Sequence, residues 1–205
     1  LCKDWTPGKF PEGRTASQRL REWIDAGAGG LDAVGLDLTG ADLSYGDFSE
    51  SWFTDAKLVN ARLVEAELYR SDAQGADFSG ADLTGCSLVR VNLDDAVLRD
   101  ATLDLANLVK ASLCDVDASG ASCRGTQFRG ASLLGVNLRS ADLSNAMFQE
   151  NSFQVTLDQN TKIDGASGSV FGPAAIVEGD VSRELSGAAL GGWIKAKGGD
   201  IRVLS

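Results

Sequence analysis

The chain has 205 residues, a net charge of −10 and 43% hydrophobic content, enough for one substantial domain with small additions at its ends. It contains no histidine, which removes Ser-His and Cys-His nucleophile systems, HExxH zinc sites and histidine proton shuttles. The acidic balance argues against direct binding to nucleic acid or to an anionic membrane, and no apolar run approaches the about 20 residues that a membrane-spanning helix needs.

The chain opens Leu1-Cys2 without a methionine, as expected of a trimmed or processed form. Residues 1–30 hold one predicted helix, within RTASQRLREWIDAGAGG. Thr15 as N-cap and Gln18 three residues later give a capping-box signature; Leu20, Trp23 and Ile24 share a face, and Gly27 stops the helix. That face is expected to lid the first layer built by the residues from Leu31 onward.

Residues 31–165 repeat every five residues, as in ADFSGADLTG from Ala76 to Gly85. A bulky apolar residue marks each centre, running Leu38, Leu43, Phe48, Phe53 and onward through Phe78, Leu83, Leu103, Phe128 and Phe148 to Phe153 without a break in phase. Two residues before each centre stands a small one, commonly alanine, as at Ala41, Ala76 and Ala96. A helix would carry successive centres about 140° apart around its axis, so no apolar stripe could form. A continuous strand would alternate them between its two faces. A mixed geometry satisfies both constraints. The small residue and the centre point inward from a short extended side, and the remaining residues turn a corner, where glycine is frequent.

Residues 166–205 change character, with Val, Ile, Trp and repeated glycine. They predict short strands and turns rather than a helix, serving as a C-terminal cap or an association surface.

The motif A(D/N)LxG, as in GADLTG and SADLSN, resembles the pentapeptide-repeat proteins, with the likeness covering about residues 31–163. The resemblance implies an all-β solenoid, a right-handed quadrilateral β-helix with four repeats to a coil. Residues twenty apart then stack, for example Phe48, Leu68, Leu88, Leu108, Phe128 and Phe148 in one interior column. Coils spaced like β-strands, about 4.8 Å apart, would bring Phe128 and Phe148 within ring-pairing distance.

Chemistry-bearing patterns are few. Asp115, Asp117, Ser119 and Gly120 match the start of a calcium loop, but Thr126 stands where a bidentate glutamate is needed, and all of them also fit the five-residue phase. Cys86 and Cys123 point inward on different sides, too far apart for a disulfide, Cys114 should face outward, and the pairing of Cys2 is open. Buried reduced cysteines suit a cytoplasmic protein. No catalytic residues, cofactor or metal are expected, and the chain reads as a non-enzyme.

Two surfaces stand out. Tyr69, Val89 and Val109 form a stacked apolar column beside Arg70, Arg90 and Lys110, which suits a protein partner, although outward valine on a β-surface also simply favours extended backbone. Asp55, Asp94, Asp95 and Asp115 form an acidic run on the next side. The favoured function is a protein-binding scaffold whose partner is unknown. The alternative, implied by resemblance to the quinolone-resistance subgroup, is an acidic DNA mimic that binds DNA gyrase, a type II topoisomerase, and protects it from inhibitors. Residues 31–165 hold 21 acids and 10 bases, so the whole net charge lies in the repeats. The basic column and a tail unlike that subgroup's C-terminal helix count against mimicry. A homodimer through residues 166–205 is a further expectation.

Overall fold

The computed structural model describes residues 5–204; Cys2 lies outside them. Helix α1 spans Arg14–Ala26 and is followed by the repeats. The longer strands come late: β1 Ser132–Asn137, β2 Asn151–Asp158, β3 Ser167–Phe171, β4 Ala174–Glu178, β5 Val181–Leu185, then helix α2 Gly187–Ala196 and β6 Asp200–Leu204. Among the described residues no helix is long and apolar enough to cross a membrane.

Along the repeats, one residue in five pairs in parallel with the residue twenty further on, as in Asp37 with Lys57, Lys57 with Asp77 and Asp77 with Val97. Each coil is therefore four repeats. Within a repeat the N–H of the small residue closes a turn onto the preceding centre, as Ala41 onto the Leu38 carbonyl at 3.1 Å. The centre's own N–H reaches the next coil, as Leu38 to the Lys57 carbonyl at 2.7 Å. Backbone groups are thus satisfied both within and between coils.

The corner residue, two after each centre, is left-handed. Fifteen non-glycine residues hold positive φ among those described, all at corners, alongside glycines such as Gly75, Gly120 and Gly135. Each non-glycine corner costs about 1–2 kcal/mol of backbone strain. Burial offsets it: Leu38, Leu43, Phe48, Phe53, Phe78, Leu83, Leu103, Phe128, Phe148 and Phe153 are all inside, none more than 3% exposed.

The same pattern explains the Asp of A(D/N)LxG. Its carboxylate folds back to accept the N–H two residues on, as Asp77 from Ser79 at 2.9 Å, Asp82 from Thr84 at 3.1 Å and Asp37 from Thr39 at 3.0 Å. A serine or threonine at that place adds its hydroxyl, which makes the corner a doubly bonded Asx turn.

Four inward polar residues share one kind of bond. Ser71, Thr126, Asn151 and Thr161 each donate to the carbonyl 23 residues earlier, at Phe48, Leu103, Phe128 and Leu138. Phase slips once, in β2. Val136 pairs with Val155, so Val155 and Leu157 turn inward and a straight strand replaces a corner.

Two expectations at the ends need correcting. The N-cap of α1 is Gly13, in extended conformation, and Thr15 lies inside the helix. The Ser17 hydroxyl bonds back to the Pro11 carbonyl and Gln18 bonds to Glu22, so no capping box forms. Gly27 ends the helix in the left-handed conformation, as expected. Leu20 and Trp23 are buried, and Trp23 stacks on Phe48 at 5.3 Å. The described residues after 165 do form strands, β3 to β6, which join β2 of the repeats in the order β5-β4-β2-β3-β6, but they also contain α2. Leu190 and Ile194, four apart, bury against the last coils, and that packing outweighs the weak propensity of GAALGGWIKA.

Candidate interaction surface

With the interior filled, the chain's chemistry is confined to its outside. Arg70, Arg90 and Lys110 occupy successive corners of one edge, with φ of 58°, 59° and 60°. All three side chains are exposed, whereas Tyr69, Val89 and Val109 beside them are half-buried. The Arg70 guanidinium lies 5.2 Å from the Tyr69 ring centroid, within cation–π range. A shallow groove continues the column past Val109 and Lys110 to Arg129 and Gln149.

The acidic residues divide into two kinds. Asp55, Asp95 and Asp115 are exposed corners of the neighbouring edge, and the side chains of Asp55 and Asp115 lean over Gly75 and Gly135 of the next coil. A side chain at either glycine would meet that carboxylate. Asp94 is half-buried and committed to structure, accepting the Ser112 hydroxyl at 2.6 Å and the Cys114 N–H at 2.9 Å. Asp95 also accepts from the Gln74 amide at 3.2 Å.

On the other two sides, four cations are spent within the chain. Arg62 reaches Asp42 at 3.6 Å, Arg99 reaches Asp117 at 2.5 Å, and Arg124 and Lys162 both reach Asp142, at 2.9 and 3.3 Å. Burial alone would raise the Asp142 carboxyl, but hydrogen bonds from Ser144, Arg124 and Lys162 outweigh it and hold its pKa at about 2. Asp117 is lowered in the same way, by Ser119 and Arg99 against its burial.

The calcium-like run is explained by the coil. Asp117 closes a turn on Ser119, and Thr126 is fully buried, its hydroxyl 2.6 Å from the Leu103 carbonyl. Cys86 and Cys123 are buried free thiols and Cys114 is half-buried. Burial, with Asp104 and Asp142 nearby, pushes Cys123 up to about 12, so it stays an unreactive thiol. The sequence reading missed a polar recess where Arg99, Arg139, Asp158 and Gln159 meet Val177 and Gly179 of the β4–β5 hairpin. Only the fold of the C-terminal strands reveals it.

Stacked four-sided coils around a solid apolar core define a repeat solenoid. The chain belongs to the pentapeptide repeat family, whose model (Pentapeptide repeats, 8 copies) matches residues 29–58, 47–85, 76–113 and 106–145. Among solved structures it is similar to HetL, a pentapeptide repeat protein involved in heterocyst differentiation regulation in the cyanobacterium Nostoc sp. strain PCC 7120. That match has 27% identity, covers 75% of this chain and 71% of HetL, and has a TM-score of 0.65. Rfr23 from the cyanobacterium Cyanothece 51142 matches at 23% identity over 71% of this chain and 97% of its own, with a TM-score of 0.44. QnrB1, a plasmid-mediated fluoroquinolone resistance protein, matches at 23% identity over 64% of this chain and 76% of its own, with a TM-score of 0.35. No curated protein sequence matches the chain.

Proposed function

We propose that the protein is a non-catalytic scaffold that holds a protein partner along one edge of its coil. Its helix α1 and its C-terminal strands would close the two ends. The observation that carries this reading is the column Tyr69, Val89, Val109 with exposed Arg70, Arg90 and Lys110 alongside, a stack of apolar surface and unspent charge in register. Such a strip offers a partner dry contact at the centre and charge at the margin. Val89→Asp with Val109→Asp is expected to abolish capture of the partner by immobilised protein while leaving the melting temperature within a few degrees. Capture by the double variant at wild-type level would refute the strip.

The reading as a DNA mimic is weaker. The cross-coil ion pairs of Arg62, Arg99, Arg124 and Lys162 neutralise much of two sides, and a cationic edge runs where a mimic needs anionic surface. A gyrase supercoiling assay tests it: the scaffold reading expects neither inhibition nor quinolone protection, and a salt-sensitive effect would favour mimicry.

A further inference from the structure

One side of the coil is electrically lopsided. It runs from an edge that is cationic over Arg70, Arg90 and Lys110 to the acidic edge, and the rungs there read RSDAQG (70–75), RVNLDD (90–95) and KASLCD (110–115), whereas the rung before them, ESWFTD (50–55), is acidic at both ends. The 90–95 and 110–115 rungs each begin at an exposed cationic corner and end at an exposed aspartate corner. Among the described residues, no ion pair within the chain reaches Arg90, Lys110, Asp95 or Asp115, unlike Arg62, Arg99 and Arg124 of the other sides. The side also gathers exposed apolar residues: Val34 and Trp52 towards one end, 53% and 50% exposed, and Leu134 towards the other, 40% exposed.

We infer that this side is where two copies of the chain associate, lying parallel about a twofold axis along the coil. The charge pattern selects the occupant. A partner of a single sign would be repelled by one edge or the other. A copy related by a twofold across the coil axis would set like edges together. A twofold along the axis swaps the edges, so Arg90 faces the partner's Asp95 and Lys110 faces the partner's Asp115, and the reverse, with no shift along the coil. Four ion pairs result, opposed on the 50–55 rung by Glu50 facing the partner's Asp55 and the reverse. Between them meet small or half-buried residues, Asn92, Ser112 and Cys114, which allow close approach, and Trp52 is covered at the margin. This surface shares Arg90 and Lys110 with the strip beside Tyr69 but extends on the opposite flank of that edge, so the Asp95→Lys with Asp115→Lys reversal tests it without touching the strip.

The test is sedimentation equilibrium of the full chain at about 0.01 M and about 0.15 M salt, where the Debye lengths are about 30 and 8 Å. A dimer is expected at low salt, with a dissociation constant that rises about tenfold or more at the higher salt. Arg90→Glu with Lys110→Glu should be monomeric, and so should Asp95→Lys with Asp115→Lys, because each gives two edges of one sign. An equimolar mixture of the two variants should restore the dimer, since each supplies what the other lacks. All four positions are exposed, and should one variant fail to fold, the other carries the reversal test on its own. A wild-type monomer at both salts would overturn the inference. So would a dimer untouched by either reversal, as association through residues 166–205 would give, or a mixture no more associated than its components.

Discussion

Phe128 and Phe148, twenty residues apart in sequence, stack inside the coil with ring centroids 5.3 Å apart and planes 7° from parallel. Phe153 meets Phe148 edge-on at 5.5 Å, so three rings fill one end of the interior. The contact is what a coil of twenty residues, shown by the parallel bridges, brings about.

Removing a ring from this group should be costly. Phe148→Ala is expected to destabilise the protein by about 3–5 kcal/mol, through lost burial and the cavity left behind. A double-mutant cycle with Phe128→Ala should show coupling of about 0.5–1.5 kcal/mol, measured by urea titration.

The corners give a prediction of opposite sign. Leu105 sits at a left-handed corner, φ 62°, with its side chain 66% exposed. Leu105→Gly removes strain of about 1–2 kcal/mol against an entropic cost of about 0.5–1 kcal/mol, so stability should rise by up to about 1.5 kcal/mol. Gly135→Ala should do the reverse and more, because the new methyl would also meet the Asp115 carboxylate. Melting temperatures of the two variants, moving in opposite directions, check the pair.

The inward hydroxyl of Thr126 tests how far the core depends on its few polar bonds. Thr126→Val keeps the shape but leaves the Leu103 carbonyl without this donor, at an expected cost of about 1–3 kcal/mol. A variant as stable as the parent would show that the bond contributes nothing net.

Acid should act through Asp142. Its folded pKa of about 2 lies below the ordinary 3.8, so its ionised form stabilises the fold above about pH 4 and that contribution disappears as pH falls towards 2. The shift corresponds to about 2 kcal/mol, since the side chain is only 12% exposed. Asp142→Asn should therefore be less stable at pH 6 and flatten the pH dependence between 4 and 2. Denaturant midpoints at the two pH values measure it.

The repeats were legible because their period is written in side chains whose burial has no alternative. The inward centres, the inward Cys86 and the Gly27 stop come from spacing alone, whereas the column through Phe48 needed the four-repeat coil that the family resemblance implies. The Asp of each repeat read only as polar, because its role lies in folding back on its own turn. Helix α2 was illegible for a different reason. Its glycines speak for turns, and only the apolar end of the coil beneath Leu190 and Ile194 makes a helix worthwhile. The slip at Val155 was hidden likewise, since Phe153 keeps phase and the straightening depends on pairing with β1. For the candidate surface, the columns were readable, but that Asp94 is tied to Ser112 while Asp95 and Asp115 stand free of ion pairs required the coil in three dimensions.

All the surface arguments depend on residues twenty apart lying side by side. Asn107 and Gln127 are such a pair, bridged in parallel on adjacent coils, while Ser122 belongs to the preceding side. Strand spacing of about 4.8 Å puts paired Cα atoms within the range a disulfide spans. In a background with Cys2 and Cys114 changed to serine, Asn107→Cys with Gln127→Cys should form an intramolecular disulfide on oxidation, located by peptide mass. Asn107→Cys with Ser122→Cys should not. Failure of the first pair to cross-link, or equal cross-linking of the second, would contradict the four-sided coil and every surface built on it.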